Sequence, residues 1–263
     1  MRSPIYAALT AARARLPADR WPTHDDLTAA AGGITTARGM ALRFVKPRGN
    51  GAERRYYEQR IADTGEIETR EQNWHDLFNA LAWISYPKAK AAINAQHAAI
   101  LAERGAQEAR QRSPSRDALT LFDEGGVIVA SSAPELLGLV SDFEWKELFW
   151  RRRPELAARM RFFAFGHGLA EQALAPYLGM VAKTVFIDVD APFLALPAQA
   201  QVERADALVA RHFSDRARYP SPKAMAPMPV LGIPGWHPDT GAESFYDDAK
   251  HFRSKEKSHG RRR

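Results

Sequence analysis

Cysteine is absent from this sequence of 263 residues. Its absence excludes disulfides, thiolate nucleophiles, iron–sulfur clusters and thiolate zinc sites. It also fits a reducing compartment, so we expect a cytoplasmic protein. No apolar run approaches the roughly 18 residues that a transmembrane helix needs, and we expect no membrane span.

The glycine-rich signatures of several large enzyme classes are also absent. There is no Gly-x-x-x-x-Gly-Lys phosphate loop, no Gly-x-Gly-x-x-Gly motif, no Gly-x-Ser-x-Gly elbow and no His-Glu-x-x-His. P-loop nucleotide hydrolysis, Rossmann-type oxidoreduction and α/β-hydrolase chemistry therefore lose their main sequence support.

Basic residues are in excess, with 37 Lys and Arg against 31 Asp and Glu, for a formal charge of +6. Residues 250–263 hold seven bases and one acid, which accounts for the whole excess. We expect this segment to be a disordered basic tail that either contacts phosphate groups or serves solubility alone. The other basic stretch contains Arg38, Arg43, Lys46, Arg48, Arg54, Arg55 and Arg60.

The hydrophobic content of 45% is that of a soluble globular protein, and the length is ample for a core. The pattern predicts an α+β, mainly helical single domain over 1–249, with an N-terminal helix within 1–20. A strand is predicted over 183–189. Hairpins are predicted at the turns Asp63-Thr64-Gly65 and Asp123-Glu124-Gly125-Gly126, the first between 55–62 and 66–69 and the second between 116–122 and 127–131. The proline-rich segment 219–249 is expected to wrap the domain as an arm.

Two adjacent helices, 72–85 and 87–104, are predicted to form an antiparallel pair because only about three residues connect them. His75, Asp76 and Asn79 share one sector of the first helix. Reversal at Tyr86 would bring His75 opposite His97 and Asn79 near Asn94, with Lys90 on the same face as Asn94 and His97. The cluster is either a satisfied polar network or the wall of a cleft, because unpaired burial costs on the order of 1–3 kcal/mol per group.

His167 and Glu171 form a second candidate pair. A helix beginning near Gly168 would place them one turn apart, where both can reach one metal ion or one proton. The alternative is a glycine-bracketed turn in which His167 caps the helix. Arg116 is either a fork for an anionic substrate or an ion-pair partner of Asp117 or Glu124, and Asp123 is explained by turn chemistry.

Several runs of residues together resemble an uncharacterised bacterial family, domain of unknown function 3025. The likeness spans roughly residues 20–253 and implies a bacterial protein with one domain; the family supplies no established activity. The runs are Tyr57-Glu58, Arg60-Ile61 and Gly65; Thr69-Arg70 and Asn73-Trp74-His75-Asp76-Leu77-Phe78-Asn79-Ala80-Leu81; Asn94 and His97; the run from Arg116 to Glu124; Phe165-Gly166-His167-Gly168; the run from Pro229 to Trp236; and Phe245-Tyr246-Asp247-Asp248.

These observations support three hypotheses. The first is a hydrolase of an anionic substrate, with His75 as base or metal ligand and with His167 and Glu171 completing a divalent metal site. In it Asp76 and Asn79 orient His75, His97 belongs to the same site, and Arg116 holds the substrate. The second is a nucleic-acid-binding module that uses the basic tail and the stretch Arg38–Arg60. The third is a scaffold protein without catalysis.

Overall fold

The computed structural model describes residues 3–48, 57–105, 107–108 and 111–255. An N-terminal 3-10 turn, Pro4–Leu9, leads into the helices, and a π-helical turn, Glu147–Arg151, precedes α8. The helices are α1 (Thr10–Arg13), α2 (His24–Ala30), α3 (Tyr57–Thr64), α4 (Trp74–Ser85), α5 (Pro87–Arg104), α6 (Pro114–Gly125), α7 (Pro134–Asp142), α8 (Arg153–Arg159), α9 (His167–Gln172), α10 (Ala191–Leu194) and α11 (Ala198–Ser214). The strands are β1 (Arg43–Val45), β2 (Glu66–Glu68), β3 (Gly126–Ser131), β4 (Met160–Ala164), β5 (Val181–Asp188) and β6 (Pro227–Pro229).

A four-stranded sheet in the order β4-β3-β5-β6 forms the centre of the fold. Strand β3 is buried at every position, pairs in parallel with β5 and pairs antiparallel with β4. A strand covered on both faces needs a continuous apolar run, which Val127–Ala130 supplies. The predicted α+β, mainly helical fold is confirmed, and the strand predicted over 183–189 corresponds to β5.

Neither predicted hairpin forms. Residues 57–64 are helical, and Gly65, at φ 71°, donates its N–H to the Ile61 carbonyl at 2.8 Å as a helix C-terminus requires. Strand β2 then pairs in parallel with β1. In the second case Ser113 caps α6 and Pro114 occupies its first turn, so that residues 116–122 are helical and not extended.

The two predicted helices form as α4 and α5, and Lys90 of α5 donates to Asn79 of α4 at 3.0 Å. His75, predicted to lie opposite His97, contacts Glu171, and His97 contacts Arg116. Asn73 caps α4 by accepting the Asp76 N–H at 3.0 Å, and Gly105 ends α5. The start of α5 is capped from α11, where Asp206 accepts the N–H groups of Lys88 and Ala89 at 3.1 and 2.7 Å. Burial raises the pKa of Asp206 to about 6, against the effect of these two hydrogen bonds.

The proline-rich segment packs on the same hydrophobic core as the rest of the chain. Val230, Leu231 and Ile233 are buried in it, and β6 extends the sheet by three residues. The core continues beyond 249, because Phe252 is buried and the Trp145 indole N–H donates to the Arg253 carbonyl at 2.8 Å. The beginning of the predicted tail is therefore packed, and its remainder, 256–263, lies outside the described residues. None of the helices in the described ranges has the length and apolar character needed to cross a bilayer.

Candidate active site in a cleft between helices

A cleft of about 420 Å³ lies among α3, α4, α5, α6 and α9, and we call it the central cleft. Charged and polar side chains dominate its walls, over a floor that includes buried Trp83. The lining residues are Pro47, Tyr57, Glu58, Ile61, Glu68, Arg70, His75, Asp76, Asn79, Trp83, Lys90, Ile93, Asn94, His97, Arg112, Arg116, Thr120, Asp123, Glu124 and His167.

Two histidines and one carboxylate from three different helices meet at one side of this cleft. His75 lies in the first turn of α4, His167 begins α9, and Glu124 lies in the last turn of α6. The imidazole rings of His75 and His167 meet edge to face, with centroids 4.6 Å apart. The Glu124 Oε2 lies 3.4 Å from His167 Nε2 and 3.9 Å from His75 Nε2.

These distances suit a single metal ion. Ligand atoms about 2.1 Å from a tetrahedral zinc lie about 3.4 Å from each other. One ligand atom from each of His75, Glu124 and His167 falls within 4.8 Å of the other two. Two imidazoles and a carboxylate form a donor set that zinc accepts, and three protein ligands leave a position open for water.

Glu171 holds His75 and is not part of this three-residue set. Its Oε2 lies 2.8 Å from His75 Nδ1, which places the proton on Nδ1 and turns the Nε2 lone pair toward Glu124. The sequence placed Glu171 in the candidate metal site with His75 and His167, whereas the geometry groups Glu124 with the two histidines and leaves Glu171 to orient the His75 imidazole. Asp76 and Asn79, which were expected to orient His75, are engaged by other partners.

The close approach of α9 to the end of α6 depends on glycine. A Cβ on Gly166 would lie 2.5 Å from the Glu124 carbonyl oxygen and 2.5 Å from the Gly126 nitrogen. A Cβ on Gly168 would lie 2.7 Å from Glu124 Oε2. The Gly-His-Gly sequence thus brings His167 against Glu124, as expected for a position where backbone must approach another chain segment.

A buried ion pair lies behind the histidines. Lys90 donates to both Asp123 oxygens, at 2.6 and 2.8 Å, and to Asn79 Oδ1 at 3.0 Å. Burial alone would raise the pKa of Asp123, but the Lys90 ammonium outweighs that effect and the pKa is lowered. The Asp123 Oδ2 lies 3.6 Å from His167 Nδ1, a buried nitrogen without a hydrogen-bond acceptor in the described part of the chain.

Asp76 is bound by Arg70 and not by His75. The Arg70 backbone N–H and guanidinium donate three hydrogen bonds to the Asp76 carboxylate, at 2.6, 2.9 and 2.8 Å. These hydrogen bonds overcome the effect of burial and lower the pKa of Asp76. Asn79 donates to the Tyr57 hydroxyl at 3.1 Å and accepts from Lys90. Both residues line the cleft, but neither bonds to His75.

Arg116 and His97 form a separate polar group in the same cleft. Arg116 is buried, contacts Glu108 Oε1 at 3.3 Å and donates to His97 Nδ1 at 3.4 Å. Burial and, among the charges, Arg116 lower the pKa of His97 to about 4, so this imidazole is neutral at pH 7. Arg116 is thus already paired, and the geometry does not favour it as the residue that holds an anionic substrate.

Glu58 is a cleft residue that the sequence did not single out. Asn94, expected near Asn79, donates instead to the Glu58 carbonyl and to Glu58 Oε2, both at 2.8 Å. Burial and the nearby negative charge of Asp123 raise the pKa of Glu58. The cleft therefore contains one carboxyl group whose pKa is raised, next to carboxyl groups of Asp76, Asp123 and Glu124 whose pKa is lowered.

Four arginines of the basic stretch Arg38–Arg60 form ion pairs. Arg38 pairs with Asp63, Arg43 with Glu66 at 3.2 Å, Arg48 with Glu66 at 2.7 Å and Arg60 with Glu68 at 2.6 Å. Arg54 and Arg55 lie outside the described residues. Arg38, Arg43 and Arg48 are about half exposed, and such pairs exchange partners at little cost, so nucleic-acid binding by this stretch stays a prediction.

The structure brings most of the predicted site residues to one cleft. His75, Asp76, Asn79, His97, Arg116 and His167 line it, and Glu171 contacts His75 from beside it. The functional candidates that the sequence left to other roles are Glu124, assigned to a turn, and Glu58, placed on a strand. A helical reading of Pro114–Gly125 would have put Glu124 at the α6 terminus that α9 meets.

The fold and the site together define an α+β protein with a polar, histidine-containing cleft. The family model described as a protein of unknown function, DUF3025, matches residues 42–256. The chain belongs to this family, in agreement with the resemblance seen in its sequence. No curated protein and no solved structure matches the chain.

Proposed function

We propose that the protein is a metal-dependent hydrolase whose divalent ion, zinc by its ligand set, binds His75, His167 and Glu124. The observation that carries the proposal is the convergence of these three ligand atoms within 4.8 Å at the wall of an open cleft. Structural zinc sites have four protein ligands, whereas three protein ligands with an open position are typical of catalytic sites.

A bound zinc ion would supply Lewis acidity and a water molecule of lowered pKa. The chain's own residues would orient the metal ligands and donate a proton to the leaving group. Glu171 fixes the His75 imidazole through Nδ1, and the Asp123 carboxylate faces His167 Nδ1. Glu58, with its raised pKa, is the residue in the cleft best suited to donate a proton to a leaving group.

The substrate class follows from a cationic side chain at the cleft that is only loosely paired. Arg112 lines the cleft, is half exposed and lies 3.7 Å from Asp117, a loose surface pair that an incoming anion can replace. We therefore keep the proposal of an anionic substrate and assign its contact to Arg112 in place of the buried Arg116. A cytoplasmic bacterial enzyme completes the proposal, in keeping with the absence of cysteine.

The test is metal binding by the full-length protein, measured by calorimetry with Zn²⁺ after chelation and by the shift in melting temperature. We expect one equivalent to bind and to raise the melting temperature, and both effects to disappear in His75→Ala and Glu124→Gln. His237→Ala is the matched control, since His237 lies outside the cleft and pairs with Asp239. Equal binding in all four proteins, or none in the parent, would rule out this site.

Catalysis needs a separate measurement, because a scaffold protein can also bind metal. Hydrolysis of phosphoester, carboxylic ester and anilide substrates should require the ion and fall in Glu58→Gln, which keeps the Asn94 hydrogen bond but has no acidic proton. If the variants change only stability, and no substrate is turned over, the cluster is structural and the scaffold hypothesis replaces the enzyme.

A further inference from the structure

Exposed apolar side chains are concentrated in one segment far along the chain from most of the cleft residues. Eight large hydrophobic residues are exposed in the described ranges, and four of them fall within residues 174–181. They are Leu174 (45% exposed), Tyr177 (55%), Leu178 (49%) and Val181 (52%). Single exposed apolar residues are ordinary, but such a concentration marks a contact surface.

The segment has no charge to keep it in water. Residues 173–181 contain no acid and no base, in a sequence with 26% charged residues. Its backbone is held in place, because Gly179 donates its N–H to His251 Nδ1 at 3.0 Å and Met180 closes a turn onto the Tyr177 carbonyl. A fixed, uncharged and exposed segment can bury its apolar side chains on contact without first becoming ordered.

Next to this segment lies a groove of about 620 Å³, which we call the C-terminal groove. Its lining is apolar, aromatic and basic, and none of the described residues that line it is acidic. The lining residues are Phe143, Trp145, Gly179, Val181, Pro227, Pro229, Lys250, His251, Arg253, Ser254 and Lys255. Val181 and Gly179 belong both to the groove and to the exposed segment, so the two surfaces are continuous.

The charges around the groove indicate an anionic partner. Lys250, Arg253 and Lys255 line it, and the sequence from 250 to the end contains seven bases and one acid. Lys255 contacts Asp142 at 3.1 Å, but both side chains are more than half exposed, and such pairs exchange partners at little cost. Strand addition at the β6 edge is disfavoured, because Pro227 and Pro229 lack the N–H that an added strand would need.

We propose that residues 174–181 and the C-terminal groove form a surface for peripheral binding to anionic phospholipid membranes. The apolar side chains would enter the boundary between headgroups and acyl chains, with Tyr177 at the interface, while the bases contact lipid phosphates and carboxylates. Apolar insertion and electrostatic attraction are individually weak, and stable attachment to a membrane requires the two together. This surface is independent of the proposed metal site.

The experiment is sedimentation of the full-length protein with vesicles of phosphatidylcholine alone or with about 30% phosphatidylserine. We expect binding only to the anionic vesicles and a progressive loss as salt is raised. The double variant Leu174→Ser/Leu178→Ser should lower the partition coefficient about tenfold or more, since it removes two of the exposed apolar side chains. Leu121→Ser is the matched control, because Leu121 is similarly exposed at 43% but lies on α6 outside the groove.

Three outcomes would overturn the proposal. One is the absence of binding to anionic vesicles at low salt. Another is binding that Lys250→Gln/Arg253→Gln abolishes while the leucine double variant leaves it unchanged, since basic residues alone would then explain it. The third is self-association of the parent in analytical ultracentrifugation that only the leucine variant removes, with no vesicle binding; the surface would then join copies of this chain. Circular dichroism checks that each variant is folded.

Discussion

The buried ion pair between Lys90 and Asp123 allows a quantitative prediction. The Lys90 side chain is only 4% exposed, and its ammonium donates to Asp123 and to Asn79 and lies 5.3 Å from the Trp83 ring. Replacing Lys90 with Met keeps the bulk of the side chain and removes the charge. The Asp123 carboxylate, itself 16% exposed, is then left without its main counter-charge.

Removing one partner of a buried pair costs about 3–5 kcal/mol. Asp123 faces the central cleft, where water can solvate it in part, so we expect about 3 kcal/mol for Lys90→Met. At about 2–4 °C per kcal/mol for a chain of this length, the melting temperature should fall by about 6–12 °C. Lys88→Met is the matched control on the same helix, where the exposed side chain should contribute less than about 0.5 kcal/mol.

The assay is urea unfolding followed by tryptophan fluorescence, in a double-mutant cycle with Asp123→Asn. If the pair interacts as its geometry indicates, the double variant should be more stable than the sum of the two single losses predicts. The pKa of Asp123 is lowered in the folded state, so the contribution of the pair is present above the unfolded pKa of about 4 and is lost as pH falls through the folded pKa. Additive single losses, or a Lys90→Met effect as small as that of Lys88→Met, would refute the reasoning.

Three further predictions concern other contacts. The folded pKa of Asp206, about 6, lies above its unfolded value, so ionisation opposes folding. The stability of the parent relative to Asp206→Asn should therefore fall by about 3 kcal/mol as the pH rises from about 3 to about 7. Denaturation at a series of pH values tests this, and a difference that does not change with pH would contradict it. Gly166→Ala should destabilise the protein by more than about 1 kcal/mol, because the added Cβ would lie 2.5 Å from backbone atoms. Gly138→Ala, where the added Cβ would meet open space within α7, should stabilise it by about 0.5–1 kcal/mol. Thermal melts compare the two variants, and equal effects would exclude the close approach. Glu171→Ala should weaken Zn²⁺ binding about 10- to 100-fold in calorimetry while His75 stays in place, and unchanged affinity would show that His75 needs no orienting partner.

Local sequence signals were sufficient to predict a helix where its first and last residues carried clear capping signals. Asn73 as a cap, Pro87 at a helix start and Gly105 at its end define α4 and α5 closely, because each acts within one turn. The same reasoning failed at Asp63-Thr64-Gly65 and at residues 116–126. There a glycine that ends a helix was taken as part of a hairpin turn, and the helix start at Ser113-Pro114 was missed.

Part of the site was predictable because two adjacent helices with a short connection bring some of their side chains together. The cleft residues placed together in this way are His75, Asn79, Lys90, Asn94 and His97. The hydrogen-bond partners of these residues were not predictable, because several of the partners lie on α3 and α6, which the sequence was not recognised to form as helices.

Glu124 illustrates the limit most clearly. Its role depends on α9 packing against the end of α6, a contact between segments more than 40 residues apart in the sequence. A turn also fits the residues immediately around Glu124, and the local signal for a helix, Ser113-Pro114, lies at the other end of α6.

The position of Glu124 also bears on how ligand release would couple to unfolding. Glu124 lies two residues before β3, the fully buried strand between β4 and β5. The carboxylate is therefore attached to the part of the molecule with the least freedom to open locally. An ion held there would slow amide hydrogen exchange in β3 itself, and removing it with a chelator would lower the free energy of global unfolding instead of loosening one surface loop.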